Sequence, residues 1–379
     1  MRVCFVSSVL TIHDYKILRE MTNRFSQAYL VTYLDGDLPQ NIMSLKDKGL
    51  NIIHRRPRYF HSIQKFLFFA KTRDFKNIIR QIKPDIIHSG FIWKDGFLAA
   101  LSGFHPHLIM PWGCDVLRHP DMFWICRQVV RYSLRQADAV ICDCQAVKTK
   151  VKSLAGRQDR HFIFFRYGLD PKVFNKDNRS SGFRKKLGLE GKKVLISTRN
   201  LYYVYNIDLI IKAFPDILKH EPLARVIITG SGPEESRLKS LVRDMGLEGF
   251  IFFTGPIPNH EMPSYLNDAD IYISTSLSDG TSQSLFEAFS CGMPVIVTDV
   301  PANMEWVKDG INGLISPIKD EHAFACNVVR LFGDEALRKK MSAVNLDIAR
   351  NEADWNKNFD KLQKAYEYFA GIVPSPAMR

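Results

Sequence analysis

Ser276-Leu-Ser-Asp-Gly-Thr-Ser-Gln-Ser-Leu-Phe-Glu-Ala-Phe-Ser-Cys-Gly-Met-Pro-Val-Ile-Val-Thr-Asp299 is the stretch that fixes the architecture. An apolar run ends near Ser274, and the acid–glycine pair Asp279-Gly280 makes a tight turn. Thr281 or Ser282 then serves as the N-cap of a helix. A buried strand follows at 294–298. Gly280 and the hydroxyls beside it leave backbone N–H groups free at the helix N-terminus, which suits a phosphate. Glu287 lies on that helix, eight positions after Asp279, so the turn and about two helical turns separate the two carboxylates.

Working outward, the same alternation fills the chain. Short apolar runs at 3–6, 28–32, 85–88, 108–111, 139–142 and 162–165 read as buried strands, with helical spacing at 15–25 and 121–136 between them. The pattern breaks from 170 to 192, where Pro171, Asn175, Asp177, Asn178, Ser180, Ser181 and Gly182 crowd together. It restarts with strands at 193–198, 224–229, 250–253, 271–274 and 294–298, and helices at 207–218 and 234–245. From Asp320 onward the chain is helical and ends in an amphipathic helix over 355–369. Strand–helix alternation implies parallel sheets, and 379 residues imply more than one core. The expected fold is α/β, with two Rossmann-like doubly wound domains facing a central cleft. We divide it as 1–175 for the acceptor, 176–354 for the donor, and 355–379 as a helix crossing back to the N-terminal domain, plus a tail. In such sheets ligands sit in the loops after the strands.

Composition narrows the classes. Hydrophobic residues make up 46% and charged residues 24%, as in an ordinary globular protein. Lys and Arg number 52 against 40 acids, a net charge of +12, which fits an anionic partner or simple solubility. The seven cysteines are odd in number and mostly lie in apolar stretches, which suits reduced thiols better than a disulfide framework. Cys142 and Cys144 lack zinc-knuckle spacing, and His105-Pro-His107 lacks further ligands, so no metal site is expected. There is no cleavable signal pattern and no uncharged apolar run of about 18 residues. The expected location is cytoplasmic, with any membrane contact peripheral, at the inner face.

The opening stretch is similar to the hallmark of the retaining glycosyltransferases of family four, which have the GT-B fold. The shared pattern is an acid–glycine turn, an acid on the following helix, and then Ala288-x-x-Cys291-Gly292-x-Pro294-Val295-Ile296. Five further segments resemble the family in the family's order. They are Ile86-Ile87-His88, Trp112-Gly113-Cys114-Asp115, Tyr167-Gly168-Leu169-Asp170 with Phe174, Thr229-Gly230-Ser231-Gly232-Pro233, and Asp309-Gly310-Ile311-Asn312-Gly313-Leu314.

The resemblance implies roles residue by residue. Glu287 would accept hydrogen bonds from the donor ribose hydroxyls. Asp279, where the family has glutamate, would face the transferred sugar. Gly280, Thr281 and Ser282 would donate to the diphosphate, and Arg199 would neutralise the leaving phosphate. Each has a plainer reading: Glu287 as a solvated helix residue, Asp279 as a turn acid, Arg199 as an ion-pair arginine. Gly230 is read evenly as substrate contact or turn. The family's lysine–glycine pair after the strand arginine is replaced near Tyr205-Asn206, so another base stands in for the lysine or these two supply neutral donors. Trp112 stands where the family has histidine, which points to altered acceptor or sugar recognition.

On the acceptor side, His13, Trp112 and Gly113 are the contact candidates, and His88 and Asp115 join Asp279 and Arg199 as catalytic candidates. His13-Asp14 reads equally as a helix cap, and His88 as a hydrogen-bonded core histidine. The segment from His54 through Arg55, Arg56, Arg58, Tyr59, Phe60 and His61 into Lys65-Phe-Leu-Phe-Phe-Ala-Lys71 is basic and aromatic. It fits an anionic membrane surface or a polyprenyl-phosphate-linked acceptor, or else a core-facing helix with solvated bases.

The function expected is therefore a retaining, metal-independent transferase with no cofactor. It would move a sugar from a nucleoside diphosphate (a UDP-sugar by family weight) to a glycan or lipid-linked acceptor, in cell-surface polysaccharide synthesis. The alternatives are a non-catalytic sugar-nucleotide or glycan binder, a nucleotide-sugar epimerase on the same fold, and a nucleic-acid binder. No nucleic-acid motif accompanies the basic residues, so no nucleic-acid partner is expected.

Overall fold

A computed structural model describes residues 1–56, 64–156, 161–178 and 182–373, with the backbone alone for 64–68. The chain divides into two compact units. One is Met1–Phe165 together with the chain from Phe359 onward; the other is Arg166–Asn358. The first boundary thus falls at 165/166 rather than at 175, and the C-terminal crossing at 358/359 rather than at 354. The Pro- and Asn-rich segment before 178 belongs to the second unit.

The first unit holds seven parallel strands: β1 (Arg2–Val6), β2 (Gln27–Thr32), β3 (Leu50–His54), β4 (Ile86–Ser89), β5 (His107–Ile109), β6 (Ala139–Cys142) and β7 (Phe162–Phe164). Their order is β3-β2-β1-β4-β5-β6-β7. The central strands are buried on both faces, so they read as unbroken apolar runs, as in Val3-Cys-Phe-Val6. The helix Trp355–Phe369 completes this unit by burying Phe359, Leu362, Ala365 and Tyr366. Phe359 meets Phe165 edge-on at 6.3 Å, and the Arg24 guanidinium lies 4.9 Å over the Phe359 ring. Arg24 also pairs with Asp360.

The second unit holds six parallel strands: β8 (Lys193–Ser197), β9 (Ala224–Thr229), β10 (Ile251–Gly255), β11 (Ile271–Ser274), β12 (Val295–Thr298) and β13 (Leu314–Ser316), in the order β10-β9-β8-β11-β12-β13. Successive side chains on a strand face opposite ways. Leu195, Val226, Ile228, Ile271, Ile273 and Ile296 therefore enter one core, with the helices Ile207–His220 and Glu321–Gly333. Val194, Ile196, Ile227, Tyr272, Val295 and Val297 enter the other, with the helix Gln283–Ser290. Burying a side chain of this size is worth about 1.5–3 kcal/mol, so the two cores hold the sheet from both faces.

Two strands, β3 and β13, have no counterpart in the sequence reading. Both are edge strands, pairing on one side only. In each unit the strand order reverses once, between β1 and β4 and between β8 and β11. Loops after those strands diverge there and leave a crevice, the usual ligand position in open sheets.

Within the second unit the segments where the chain enters and leaves run together. Leu169 bridges Asp354, Tyr167 stacks on Trp355 at 6.5 Å, and Arg166 pairs with Glu352 at 2.6 Å. A Cβ on Gly168 would lie 2.2 Å from the Trp355 Cα, so only glycine allows this approach.

Candidate active site

The second unit's switch point assembles the donor candidates. Arg199 follows β8 by two residues, and the loop after β11 carries Ser276, Asp279, Gly280 and Ser282. Arg199 is only 7% exposed. Its Nη2 donates to Asp279 Oδ2 at 2.6 Å, and its Nη1 donates to the hydroxyls of Ser282 at 2.5 Å and Ser284 at 3.0 Å. The Tyr205 ring lies 4.0 Å from the guanidinium carbon, a cation–π contact. Burial opposes the guanidinium charge, but the combined pull of Asp279, Tyr205, Tyr272 and Glu287 outweighs it and the pKa is raised. Burial also raises the Asp279 pKa, against the lowering effect of Arg199, Ser276 and the Gly280 N–H.

Ser282 occupies the N-cap position expected for it, yet makes no side-chain cap bond. Its hydroxyl is turned to Arg199 instead, which leaves the helix N-terminus without a side-chain cap from that residue. Glu287 lies on this helix at 8% exposure, accepts from Gln283 Nε2 at 3.4 Å, and acts electrostatically on Arg199. Arg199 is thus ion-paired, with the turn acid Asp279 as its buried partner. The two also sit at the N-terminus of the helix that carries Glu287 about one turn further on.

Tyr205 and Asn206, in place of lysine and glycine, have distinct roles. Asn206 takes φ 49°, the left-handed region that glycine reaches freely and asparagine better than most residues. Its carbonyl and that of Tyr205 accept from Thr275 Oγ1 at 2.9 and 3.1 Å. The backbone turn is therefore kept while the cation is replaced by an aromatic ring. The Asn206 Nδ2 is buried with no hydrogen-bond partner among the described residues.

Gly230 and Gly232 form the turn after β9. The Gly230 N–H donates to Gly255 O at 2.9 Å. A Cβ on Gly232 would lie 2.2 Å from Leu201 O, so the glycine lets this loop pack against the one that carries Arg199. A buried amide network holds the late turn. Asn345 Nδ2 donates to Met293 O at 2.8 Å and Asn312 O at 2.9 Å, while Asn312 Nδ2 donates to Asn345 Oδ1 at 2.9 Å and Trp306 O at 3.0 Å.

The acceptor candidates lie in the first unit. His88 is fully buried, its Nδ1 sharing a 2.5 Å hydrogen bond with the Tyr366 hydroxyl. Burial and nearby His107 push its pKa down to about 3, so it is neutral. This is the core-histidine reading, and His88 fastens the C-terminal helix. Asp115 is also fully buried and accepts from the backbone N–H of Ile92 and Trp112, both at 2.9 Å. Burial pushes its carboxyl up to about 6 despite those bonds. Asp115 therefore pins two loops together. Gly113 takes φ 92°, which permits the sharp turn between them.

Trp112 lies 5.7 Å from the His13 ring, so these two candidates are neighbours. Burial and Lys16 hold the His13 pKa down to about 4. Asp14 belongs to a capping box, accepting from Thr11 N and Oγ1 at 2.7 Å each, as the plainer reading of His13-Asp14 has it. In the basic segment, Arg55 pairs with Asp74 at 3.6 Å, Arg56 pairs with Asp37, and Phe69 is exposed. Residues 57–63 and the side chains of Lys65, Phe66, Leu67 and Phe68 lie outside the described residues.

Several site residues carried no sequence signal of their own. Ser284 and Tyr272 share a 2.8 Å hydrogen bond beside Arg199. Ser8 donates to Asp95 Oδ1 at 2.5 Å from Oγ and to Oδ2 at 2.9 Å from N, joining the loop after β1 to the segment after β4. Isolated serines and a strand tyrosine look like ordinary core or surface until the fold brings them together. No cluster of metal-ligating side chains occurs among the described residues. Among those residues no helix is long and apolar enough to cross a membrane.

Known proteins resemble this chain in sequence and in fold. Residues 180–345 match the family described as Glycosyl transferases group 1, and residues 2–144 match Glycosyl transferase 4-like. The chain is 28% identical over 243 residues to the alpha-monoglucosyldiacylglycerol synthase of Streptococcus pneumoniae, covering 63% of this chain and 52% of that one. It thus spans about half the length of that relative. It is 25% identical over 349 residues to an uncharacterized glycosyltransferase of Methanocaldococcus jannaschii, covering 87% and 86%. The crystal structure of Anabaena HepE in complex with UDP-glucose superposes with a TM-score of 0.79 at 17% identity, covering 96% of this chain and 99% of that one.

Proposed function

Since the chain belongs to the group 1 glycosyltransferases, with the GT-B fold of family four, we propose that it moves a sugar from a nucleoside diphosphate to a glycan or lipid-linked acceptor, with retention of configuration and without a metal ion. The observation that carries this reading is the buried Arg199, held by Ser282, Ser284 and Asp279 at the N-terminus of the helix bearing Glu287. A fixed cation beside the helix N-terminus supplies positive charge where a leaving diphosphate develops negative charge.

In this reading Glu287 accepts from the ribose hydroxyls, and the N–H groups of Gly280, Thr281 and Ser282 hold the diphosphate. The orphaned Nδ2 of Asn206 supports its role as a neutral donor, while Tyr205 orients the guanidinium rather than adding charge. Gly230 serves by keeping the neighbouring loop close. A diphosphate arriving at Arg199 competes with Asp279, whose carboxylate then turns to the sugar hydroxyls. The bond from the anomeric carbon to the diphosphate breaks on the face where the acceptor oxygen bonds, and the leaving diphosphate takes the acceptor's proton. His13, Trp112 and Gly113 line the acceptor side, and Asp115 and His88 position its loops. The UDP-glucose bound in HepE favours uridine as the base.

A second reading, a non-catalytic sugar-nucleotide or glycan binder, is favoured by Tyr205 standing where a second phosphate cation is expected. Thermal unfolding with UDP, GDP and ADP tests the donor site. Ligand at a hundred times its Kd adds about 2.7 kcal/mol of stability. One nucleotide should raise the Tm of the wild type and not of Glu287→Ala; no shift with any nucleotide removes the donor assignment. A shift without turnover of the matching nucleotide sugar favours the second reading.

A further inference from the structure

Four consecutive apolar side chains, Met122, Phe123, Trp124 and Ile125, stand exposed at the start of the helix Trp124–Gln136, with Trp124 at 74% and Ile125 at 71%. Local structure does not call for them. Phe123 holds the N-cap position without a side-chain cap bond, where a polar residue would stabilise the helix. The rest of the helix is anchored normally, burying Val130, Ser133 and Leu134. Large aromatic side chains left in water over a continuous run mark a contact surface.

The charge beside this run is one-sided. Between 118 and 136 the sequence holds four arginines and one acid, Asp121. That acid is already bonded to Lys150 at 2.5 Å and lies 3.6 Å from Arg127. Arg127, Arg131 and Arg135 recur every fourth residue and so form one stripe along the helix. The aromatic character continues onto the neighbouring segment after β4. Trp93 meets His119 at 6.0 Å and lies under the exposed Lys94 at 5.1 Å, while Phe97 meets Tyr132 edge-on at 5.8 Å.

We propose that this edge of the first unit docks on an anionic lipid bilayer, with Met122, Phe123, Trp124 and Ile125 entering the headgroup–acyl boundary and the arginine stripe facing lipid phosphates. Trp favours that boundary because its ring is apolar and its N–H can stay hydrated. A one-signed stripe fits the negative surface of such a bilayer better than the mixed charge of a typical protein partner. The same loop region carries Trp112 and Gly113, so docking would bring a membrane-held acceptor to the acceptor side. Only this last step rests on the proposed transferase function; the docking itself does not.

Vesicle sedimentation tests the proposal, using phosphatidylglycerol mixed with phosphatidylcholine against phosphatidylcholine alone. The wild type should sediment with the anionic vesicles and release as salt rises. Phe123→Ser with Trp124→Ser should weaken binding about tenfold or more, and Arg131→Gln and Arg135→Gln about fivefold each at low salt. Brominated acyl chains should quench wild-type fluorescence more than that of Trp124→Phe. In every variant the nucleotide-induced rise in Tm should stay as in the wild type, which shows the fold intact and keeps the donor reading separate. The proposal is overturned if wild type stays in the supernatant, if the Phe123/Trp124 variant binds as the wild type does, or if light scattering shows a dimer that this variant dissolves.

Discussion

Replacing Arg199 by alanine removes a phosphate ligand and also leaves Asp279 buried without its cation. Breaking a buried pair from one side costs roughly 3–5 kcal/mol, so Arg199→Ala should lower stability by about 3 kcal/mol in denaturant melts. Adding Asp279→Ala should return part of that stability and none of the nucleotide binding, which separates the two roles in one double-mutant cycle. Asp279→Asn should act in the opposite sense on the ligand. With the competing charge gone, the bare nucleoside diphosphate should bind several-fold tighter by calorimetry, while sugar transfer falls. If binding weakens instead, Asp279 does not compete with the diphosphate for the guanidinium. These residues were legible in the sequence because the acid–glycine turn and the helix acid sit at fixed spacing on one local unit. Ser284, Tyr272 and Asp95 were not, because their neighbours come from segments far along the chain. His88, Asp115 and Asp14 were visible as candidates, but only burial shows that they face cores and loops.

At the level of elements, the loops around the donor candidates are held by backbone shape and buried amides. Asn206 keeps a left-handed turn, so Asn206→Gly should be tolerated within about 1 kcal/mol, whereas Asn206→Val should destabilise by about 1 kcal/mol or more. Asn345→Ala removes the partners of Asn312 and of the Met293 carbonyl, and should cost about 2–4 kcal/mol in urea melts. A loss under about 1 kcal/mol would mean that water replaces the amide. The doubly buried strands could be read from the sequence because a short apolar run between turn signals is too brief for a helix and too apolar for a solvated loop. Leu50–His54 and Leu314–Ser316 could not: the first mixes polar and apolar residues, and the second is only three residues long. The first boundary lies earlier than the sequence suggests, because a segment rich in Pro and Asn looks like a linker even when, like Asn175, it folds onto its own domain. Asn267 Nδ2 donates to the Asn175 carbonyl at 2.9 Å.

On the scale of the whole molecule, the first unit depends on a helix that arrives by way of the second. His88 is neutral in the fold, its pKa held near 3 against an ordinary 6.5. A lowered histidine pKa gives stability that is present above pH 6.5 and is lost as pH falls toward 3. The wild type should therefore lose stability relative to His88→Gln across that window, read as the difference between their Tm values, with the gap widest at high pH. Residues 1–165 alone should lack a cooperative melt, and a peptide spanning 355–373 should restore one when added in trans. The bond between His88 and Tyr366 also has a consequence in time. A ribosome delivers all of Arg166–Asn358 before it delivers Phe359 and Tyr366. The second unit can close while the first still exposes the groove those side chains will cover, so the part made first is finished last. During synthesis that uncovered core is where a chaperone would bind and where a stalled chain would aggregate.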